Sequence, residues 1–461
     1  MNIADVKSRI AENGAVTEIE TAIKKAEESS GYNVFLHISR DRAIERAKKV
    51  DSGEIKGSLA GVPFAVKDNF LHFDGATTAA SRLLSNFTAP LQSEAIERLE
   101  SEGAICVGSV NLDSFAHGGS TENSAFGVTK NAIDSTMVAG GSSGGSAVAV
   151  ALDIVPFALG TDTGGSIRQP ASFNGVVGFK PTYGTVSRYG VIAMASSTDT
   201  IGVLSSNIKD TESVMSIISG EDKKDMTTLP DFFAPKNIPN GKKKIAVIEE
   251  FITEGVDSGV RNVVDNAIRV YEKSGYVIEK ISLPMIKYAL AIYYVVIPAE
   301  ISSNLSRYDG IRYGNRAEGL MGLEEVYAKT RSNGFMPENK RRIMIGNYVL
   351  SSGYFDAYYQ KAQKARTLLI KEFTKALDNY DALIGPVAPT PAFKIGSKSS
   401  DPLTMYLEDI MTVPASLAGL PAISVPAGSS EGMPVGLQLI GKQKDDANIL
   451  SLARILEETE K

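Results

Sequence analysis

The sequence predicts an α/β protein in which short buried strands alternate with helices. Residues 61–220 consist of short apolar runs, such as GVPFAVKD and VPFALGTD, separated by loops rich in Gly, Ser and Thr. Such runs are typical of strands that are buried on both faces of a sheet. Residues 1–60 and most of 255–380 instead carry apolar side chains at helical spacing. The chain has 461 residues and can bury roughly three quarters of its unfolded surface.

The elements follow one another in four parts of what we expect to be a single domain, residues 1–461. Residues 1–60 are predicted to be helical, because DVKSRIAENG and RDRAIERAKKVDSG show helical spacing and end near glycine. Strands and Gly/Ser-rich loops follow in 61–220, which forms the core of the predicted domain. The segment 228–244 contains three prolines and is predicted to be a surface connection.

The second half of the chain is predicted to be helical first and to return to strands at its end. Helices predominate in 245–380, although IAVIEE, which follows the lysines at 242–244, has the pattern of a strand. Residues 381–461 contain the strand-like runs DALIGPVAPTPAF, LPAISVPAG and VGLQLIG and close with an amphipathic helix, DDANILSLARILEETEK.

Composition and charge favour a soluble protein. Hydrophobic residues make up 43% and charged residues 22% of the chain, which is ordinary for a globular protein. The start MNIADVKSRIAENG lacks the apolar core of a signal peptide, and the apolar run at 289–299 is shorter than the ~20 residues of a membrane span. The single cysteine, Cys106, excludes an internal disulfide. We therefore expect a cytoplasmic protein that binds no membrane, and the net charge of −6 argues against binding of nucleic acid by this chain alone.

Two glycine-rich loops contain the candidate nucleophiles. AGGSSGGSAVAV (139–150) contains Ser142, and GTDTGGSIRQPASF (160–173) contains Ser166. Residues 140–144 match the G-x-S-x-G turn of α/β-hydrolases, but that fold places its histidine after the serine. All histidines of this chain precede Ser142: His37, His72 and His117. A serine in these loops must therefore be activated without histidine.

Other candidate sites are weaker. Cys106 has apolar neighbours that would not lower the pKa of its thiol, so a small core residue is the simpler interpretation. The sequence GLQLIGKQ (436–443) resembles a phosphate loop, but its middle is strand-like and Gln443 replaces the Ser or Thr that holds magnesium. His72 and His117 are interpreted as loop or packing residues, and no metal-ligand spacing occurs. We expect neither a metal nor a nucleotide cofactor in this chain.

A neutral lysine can replace histidine as the base that activates a serine. Lys67 ends the apolar run GVPFAVK, which would bury its aliphatic stem. Because the pKa of a free lysine is ~10.4, burial or nearby positive charge must lower it before the amine can act as a base. On the local sequence alone, a lysine that reaches solvent from the end of a strand is the simpler alternative.

Three motifs, in their order and spacing, closely resemble the amidase signature family: GVPFAVKD, GGSSGGS and DTGGSIRQPA. The members of that family use a Ser-Ser-Lys triad. The resemblance implies that Ser166 is the nucleophile, Ser142 the bridging serine and Lys67 the base. It also implies the family's fold, a large mixed β-sheet flanked by helices in a single domain.

The loop around Ser166 has the features of an oxyanion hole. The backbone N–H groups of Thr163, Gly164, Gly165 and Ser166 can converge on the oxygen of a tetrahedral intermediate. Glycine permits a close approach of backbone to substrate. SIRQPASF is predicted to be the start of a helix whose dipole favours negative charge at this point.

Further blocks resemble one branch of the family, the glutamine-hydrolysing subunits of tRNA-dependent amidotransferases, and cover nearly the whole chain. They are GGSTENSAFGVTKN (118–131), GFKPTYGTVSRYGVIA (178–193), NLSRYDGIRYG (304–314), RRIMIGNYVLSSGYFDAYY (341–359) and TVPASLAGLPAISVP (412–426). General amidases do not share RRIMIG or SGYFDAYY. The segments 111–119 and 196–202 differ from the sequence that is usual in this branch. These differences lie outside the three motifs.

This branch implies that the chain hydrolyses glutamine to glutamate and ammonia through an acyl-enzyme. A free amino acid needs an arginine for its carboxylate and an acidic group for its ammonium. By resemblance these residues are Arg342 and Asp409, with Tyr293 as a candidate for the pocket wall.

The branch also implies partners. It implies a heterotrimer with the B and C subunits of the amidotransferase, in which a partner subunit uses ATP and Mg²⁺ and holds the aminoacyl-tRNA. The ammonia would convert Glu-tRNA(Gln), and in some systems Asp-tRNA(Asn), to the amidated form; the sequence leaves the acceptor open.

Two other classes of function stay open at this point. One is a stand-alone amidase of the same family that acts on another small amide, and the other is a scaffold without activity. The intact Lys67, Ser142 and Ser166 disfavour the scaffold, and the branch-specific blocks disfavour the stand-alone amidase.

Overall fold

The computed structural model describes residues 1–230, 233, 242–319, 321–398 and 402–459. Within these residues, eleven strands form one mixed sheet that is flanked by helices, so the predicted α/β class and the large mixed sheet are confirmed. The strands are β1 (Phe35–Ile38), β2 (Pro63–Lys67), β3 (Ile105–Val110), β4 (Phe157–Asp162), β5 (Val177–Lys180), β6 (Thr200–Ser205), β7 (Lys244–Ile248), β8 (Val277–Ile281), β9 (Ala382–Pro386), β10 (Ala422–Ser430) and β11 (Met433–Ile440).

The sheet joins strands from all four parts of the chain in the order β1-β3-β2-β4-β6-β5-β10-β11-β9-β7-β8. Strand β2 runs parallel to β3 and β4, and β7 runs parallel to β8 and β9, whereas the other neighbours are antiparallel. The carboxyl ends of β2, β3 and β4 therefore meet at one edge of the sheet. Open α/β sheets commonly bind ligands at such an edge.

The helices pack on both faces of this sheet. Over the described residues they are α1 (Ile3–Asn13), α2 (Ala15–Glu28), α3 (Arg40–Asp51), α4 (Glu94–Ser101), α5 (Gly144–Ala151), α6 (Arg168–Asn174), α7 (Ile208–Ile218), α8 (Ser258–Lys273), α9 (Ala289–Leu305), α10 (Leu323–Gly334), α11 (Pro337–Leu350), α12 (Lys361–Leu377), α13 (Pro402–Leu407), α14 (Val413–Leu417) and α15 (Asp446–Thr459).

Side chains of the central strands point alternately into two cores. Phe64 of β2 and Phe157 of β4 lie in the larger core and stack on each other, with ring centroids 5.5 Å apart. Ala65 and Ala158, one position further along each strand, lie in the second core, beneath α2, α3 and α5. This is the two-residue period of a strand. Because both faces are covered, the strands read as continuous apolar runs rather than as alternating patterns.

Two strands fall where the sequence predicts helices. Strand β1 lies within residues 1–60 and β8 within 255–380, and they form the two outer strands of the sheet. Their side chains are mostly half-buried or exposed, so neither strand has the continuous apolar run that marks the central strands. The predicted strand after the lysines at 242–244 is confirmed as β7. Most of the predicted surface connection, 231–232 and 234–241, lies outside the described residues.

The most apolar helix belongs to the core. By length and composition, the helical segment Pro284–Leu305, which includes α9, could cross a membrane. However, 56% of its most apolar window is buried inside the fold, where α9 packs against α11, α12 and α14. A buried core helix of a globular protein has the same composition. The packing of α9 therefore accounts for the apolar run at 289–299.

Candidate active site

The site is built at the carboxyl edge of the parallel strands. Lys67 is the last residue of β2, and β4 ends at Asp162, directly before the loop that carries Ser166. Since β2 and β4 are parallel neighbours, Lys67 and this loop emerge side by side. The Ser142 loop precedes α5, which packs against both strands. The fold thus brings together three residues that are up to 99 positions apart in the chain (166 − 67 = 99).

Lys67 does not reach solvent. Its side chain is fully buried, and its Nζ lies 2.7 Å from Ser142 Oγ and 2.9 Å from Thr161 Oγ1. Burial lowers the pKa of Lys67 to about 7, while the carboxylates of Asp113, Asp162 and Asp199 act in the opposite direction and raise it. The alternative from the local sequence, a lysine extended into water, is therefore wrong. A large share of this lysine is neutral at physiological pH and can accept a proton.

Backbone N–H groups of the Ser142 loop hydrogen-bond to the Ser166 loop and to the helix that follows it. The N–H of Ser143 donates to the carbonyl of Ser166 at 3.0 Å, and the N–H of Gly141 donates to Gln169 Oε1 at 2.8 Å. Ser142 itself is fully buried, and its peptide bond to Gly141 is cis. These contacts hold the bridging serine between the lysine and the loop of the nucleophile.

Ser166 is open to an incoming group. Its residue is 9% exposed, and among the described residues its Oγ has no hydrogen-bond partner. The structure therefore forms the first link of the predicted relay, from Lys67 to Ser142, but no hydrogen bond joins the hydroxyls of Ser142 and Ser166. The catalytic roles of the three residues stay predictions.

The backbone of the Ser166 loop presents a row of free donors. Among the described residues, the N–H groups of Thr163, Gly164, Gly165 and Ser166 have no acceptor. The Thr163 hydroxyl is held by Asp199 Oδ1 at 2.7 Å. Helix α6 begins two residues after Ser166, in agreement with the predicted helix start. This arrangement is suited to stabilising negative charge on a carbonyl oxygen.

Glycine is required at one of these positions. Gly165 has a φ of +147°, and a Cβ there would clash with Thr412 Oγ1. That hydroxyl donates to the carbonyl of Gly164 at 2.6 Å and so fixes the loop from outside. A side chain at Gly165 would displace the row of N–H groups.

The three predicted pocket residues lie close enough for their charges to interact, and one of them contacts the Ser166 loop. Arg342 on α11 is 4% exposed, and its charge acts on the pKa of both Asp409 and Tyr293. Burial raises the pKa of Asp409 to about 8, although Arg342 acts to lower it. The Tyr293 hydroxyl lies 2.8 Å from the point where a Cβ of Gly164 would be, so this ring packs over the candidate oxyanion hole. Their binding roles stay predictions.

A cavity of about 200 Å³ leads from the surface to Arg342 and is also lined by Asp113, Glu338 and Tyr406. Sequence reasoning missed these three residues, and it missed Thr161, the second partner of Lys67. For two of these four residues, Thr161 and Glu338, the sequence contains a signal. Thr161 stands beside the recognised DTGGS motif, and Glu338 precedes Arg342 by four positions on a predicted helix, where opposite charges commonly pair.

Asp113 is one of the residues through which the segment 111–119 contacts the site. Its carboxylate accepts N–H bonds from Thr121 at 2.9 Å and Asn123 at 3.0 Å. Burial raises its pKa to about 6, whereas these two hydrogen bonds and Lys67 lower it. It also lies directly against Gly141, where a Cβ would clash with it. The segment 111–119 therefore reaches the loop of the bridging serine.

The rejected alternatives are also weak in the structure. Cys106 is buried, and burial raises the pKa of its thiol to about 12, which is unsuitable for a nucleophile. Burial lowers the pKa of His117 to about 3, so this histidine is neutral. Residues 436–440 lie in β11 rather than in a loop. Over the ranges that the structure describes, no group of three or more His, Cys, Asp or Glu side chains could hold a metal ion.

A serine backed by a second serine and a buried lysine, on a large mixed sheet, is the arrangement of a serine-dependent amide hydrolase without histidine. The model of the family described as Amidase matches residues 18–450. The chain therefore belongs to the amidase family, as the sequence motifs predict.

Within this family the chain is similar to A subunits of glutamyl-tRNA(Gln) amidotransferases. It is 49% identical over 438 residues to the A subunit of glutamyl-tRNA(Gln) amidotransferase from Macrococcus caseolyticus, covering 94% of this chain and 91% of that protein. It is 48% identical over 460 residues to the corresponding protein of Geobacillus kaustophilus, covering 98% and 94%. The crystal structure of the same kind of protein from Thermotoga maritima superposes with a TM-score of 0.85 at 40% identity, over 99% of this chain and 94% of that one.

Proposed function

We propose that this chain is the glutamine-hydrolysing subunit of a tRNA-dependent amidotransferase. The observation that carries the proposal is the hydrogen bond of the buried Lys67 to Ser142, beside the unpaired Ser166 and its row of free N–H groups. The relatives at 48% and 49% identity over nearly the whole chain are A subunits of glutamyl-tRNA(Gln) amidotransferases.

The reaction uses the residues in a fixed order. Neutral Lys67 takes a proton from Ser142, which takes one from Ser166, and Ser166 Oγ attacks the side-chain carbonyl of glutamine. The free N–H groups of the Ser166 loop bind the oxyanion, and one such donor is worth roughly 3–4 kcal/mol in other enzymes. When the intermediate collapses, the C–N bond breaks and the relayed proton goes to the leaving nitrogen, which departs as ammonia. Water then attacks the ester, again with Lys67 as base through Ser142, and glutamate leaves.

The pocket supplies charges that match both ends of a free amino acid. The guanidinium of Arg342 is suited to the α-carboxylate and the carboxylate of Asp409 to the α-ammonium. Tyr293 closes the wall next to the reacting carbonyl. An uncharged amide has no α-carboxylate for the buried guanidinium of Arg342 and no ammonium for Asp409, so it would make fewer favourable contacts in this pocket.

The alternative is a stand-alone amidase that acts on another small amide. Solved structures of such amidases share the fold, including one described as an amidase at 30% identity with a TM-score of 0.85. The amidotransferase relatives are considerably more similar in sequence, and the opposite charges of Arg342 and Asp409 suit an amino acid. These observations favour the amidotransferase subunit.

The complete reaction requires partners. The B and C subunits complete a cytoplasmic heterotrimer, and the partner subunit uses ATP and Mg²⁺ and holds the aminoacyl-tRNA. Ammonia passes from Ser166 to that second site. Two observations support a partner: the net charge of this chain is −6, which does not suit tRNA binding by this chain alone, and its exposed apolar side chains include a group of aromatic rings.

The test is a glutaminase assay with and without purified partner subunits, on glutamine and on asparagine. We expect release of ammonia from glutamine, with a clear preference over asparagine. Hydroxylamine should divert the acyl-enzyme to glutamyl hydroxamate, and Ser166→Ala should abolish this product. An enzyme that hydrolyses simple amides but not glutamine, even with its partners, would favour the stand-alone amidase.

A further inference from the structure

Glu338 forms a largely buried ion pair with the predicted carboxylate-binding arginine. The two residues lie one turn apart on α11, and Arg342 Nε donates to Glu338 Oε1 at 2.8 Å. The side chains are only 5% and 13% exposed. An exposed pair at this spacing, such as Lys329 with Glu325, is 59% and 49% exposed and contributes little to stability. The Arg342 pair is therefore not an ordinary surface contact.

Glu338 is itself held in place. Tyr406 donates its hydroxyl to the same Oε1 at 2.9 Å, and Arg341 contacts the other carboxylate oxygen. Burial alone would raise the pKa of Glu338, but the charge and hydrogen bond of Arg342 outweigh it and keep the pKa below its ordinary value. The first turn of α11 is anchored in addition by Asn339, whose amide donates to the carbonyl of Ser114 at 2.8 Å. The carboxylate is thus ionised and fixed in position.

The contact occupies only one edge of the guanidinium. Among the described residues, Nη1 and Nη2 of Arg342 have no hydrogen-bond partner. The Cζ atom of Arg342 lies 5.3 Å from the ring centroid of Tyr294 and 5.6 Å from that of Tyr406. These two rings stack on each other at 4.0 Å. With Nε held by Glu338 and the rings packed against it, the guanidinium has a fixed orientation and keeps the two donors that can bind a carboxylate together.

We infer that Glu338 is a positioning residue. It orients Nη1 and Nη2 of Arg342 towards the α-carboxylate of the substrate, so that the enzyme selects free amino acids over other amides. This inference rests on the proposed function. Glu338 does not touch the substrate; it acts through the orientation of Arg342. Tyr406 contributes to the same arrangement by holding the acceptor oxygen that receives Nε.

The experiment measures kcat and KM of Glu338→Ala for two substrates, glutamine and the analogue in which the α-carboxylate is replaced by a carboxamide. Loss of a charge-assisted hydrogen bond that orients the arginine should raise KM for glutamine about tenfold to one-hundredfold, with little change in kcat. The kinetics of the carboxamide analogue should be unchanged, because this analogue has no carboxylate for Arg342 to bind. Glu338→Gln keeps an acceptor oxygen and should lie nearer to the wild type than Glu338→Ala.

Glu325→Ala is the matched control, because it removes an exposed glutamate that pairs with Lys329 at the same helical spacing. It should change neither kcat nor KM for either substrate. The inference is overturned if Glu338→Ala leaves KM for glutamine unchanged, or if it impairs both substrates equally, as general damage to α11 would. These outcomes differ from failure of the proposed function, in which the wild-type protein itself would not hydrolyse glutamine.

Discussion

In the proposed mechanism the most consequential single residue is Lys67, because its protonation state would decide whether the predicted triad can act. Two hydroxyls hold its amine, and no water-exposed surface remains to stabilise its charge. Burial of this kind disfavours the charged form of a lysine. The nearby carboxylates oppose the shift, so the resulting pKa lies near neutrality rather than far below it.

We therefore expect kcat for glutamine to rise with pH along an acidic limb with a midpoint near pH 7. Below the pKa of about 7 the base is protonated, and kcat should fall about tenfold per pH unit; above it, kcat should reach a plateau. The measurement is kcat from pH 5.5 to 9.5 with the chemical step rate-limiting. A profile that is flat throughout this range would show that Lys67 does not supply the titrating base.

The triad predicts a specific pattern of losses. Ser166→Ala should abolish the acyl-enzyme, and Ser142→Ala and Lys67→Ala should each lower kcat by roughly three or more orders of magnitude, because members of a relay act as a unit. Lys67→Arg should not restore activity, since a guanidinium does not lose its proton in proteins. Ser143→Ala is the control, since Ser143 lies next to the bridging serine and bonds to the carbonyl of Thr161 at 3.1 Å. Near-normal turnover by Lys67→Ala would contradict the assignment.

Asp409 predicts a second pH dependence, which should appear in KM rather than in kcat. Burial raises the pKa of its carboxyl group to about 8, so at pH 7 most molecules carry the neutral acid. Only the carboxylate binds an ammonium strongly. KM for glutamine should therefore fall as pH rises from 6 to about 8, by up to tenfold per pH unit. In Asp409→Asn, KM should be high and should lose this dependence; an identical slope in the variant would assign the titration to another group.

At the scale of single residues, the sequence predicted what is encoded in contiguous motifs. The three triad positions stand in motifs of fixed spacing, so the family resemblance locates them. Tyr406 and Asp113 contact the site only because α13 and the segment after β3 pack beside α11 and the serine loops. No local pattern marks a hydrogen bond between Tyr406 and Glu338, which are 68 positions apart.

At the scale of elements, Arg168 connects the catalytic loop to the helices and strands behind it. Its guanidinium is fully buried and bonds to both oxygens of Asp162, at the end of β4, at 2.9 and 3.0 Å. It also bonds to the carbonyl of Thr412 at 2.9 Å, to Ser416 Oγ on α14 at 2.8 Å and to Gln438 Oε1 on β11 at 2.6 Å. Five hydrogen bonds from one side chain thus fix the relative position of β4, α6, α14 and β11.

We expect Arg168→Met to lower the free energy of unfolding by about 3–5 kcal/mol at pH 7, because it leaves the Asp162 carboxylate buried without its partner. Arg269→Met, at an exposed position of α8, should change it by less than about 0.5 kcal/mol. The measurement is chemical denaturation of both variants at several pH values.

The pH dependence distinguishes this cause from a simple loss of packing. In the wild type Arg168 outweighs burial and holds the pKa of Asp162 below its ordinary value, so this stabilisation is present above pH ~4 and is lost as pH falls through the folded-state pKa. Without Arg168, burial should raise that pKa, and the penalty should appear only once Asp162 ionises. The stability difference between wild type and Arg168→Met should therefore shrink towards low pH. A difference independent of pH would indicate lost packing instead.

Prediction of the elements succeeded where both faces of a strand are buried and failed at the borders of the sheet. The runs PFAVK and FALGTD read as strands because every residue in β2 and β4 is buried. In β1 and β8 the side chains are mostly half-exposed, and the neighbouring segments are strongly helical, so the tertiary pairing decides the outcome. Such pairing with distant strands has no signature within a few residues of sequence.

At the scale of the whole molecule, one exposed surface is unusually aromatic. Tyr348, in the last turn of α11, and Tyr354 and Tyr358, between α11 and α12, are 49%, 40% and 44% exposed. The ring centroids of Tyr348 and Tyr354 lie 4.3 Å apart. Exposed aromatic rings in a group are typical of protein interfaces. This aromatic surface falls within RRIMIGNYVLSSGYFDAYY, one of the blocks on which the predicted resemblance to amidotransferase subunits rests. The relatives at 48% and 49% identity are A subunits of glutamyl-tRNA(Gln) amidotransferases.

We expect this aromatic surface to be covered by a partner subunit of the amidotransferase. Tyr354→Ser with Tyr358→Ser should weaken association with the partner subunits at least about tenfold, because aromatic side chains at the centre of an interface each contribute about 1–2 kcal/mol or more. ATP-dependent transamidation driven by glutamine should fall with the bound fraction and recover at high partner concentration, while the free energy of unfolding of the isolated chain should change little.

Met226→Ser removes a single apolar side chain that is 90% exposed and is the control for loss of exposed apolar area. The measurements are the dissociation constant by sedimentation and the rate of transamidation at two partner concentrations. Unchanged association of the double variant with the partner subunits would place their interface elsewhere. If the double variant instead lost self-association, the aromatic surface would belong to a contact with a second copy of this chain.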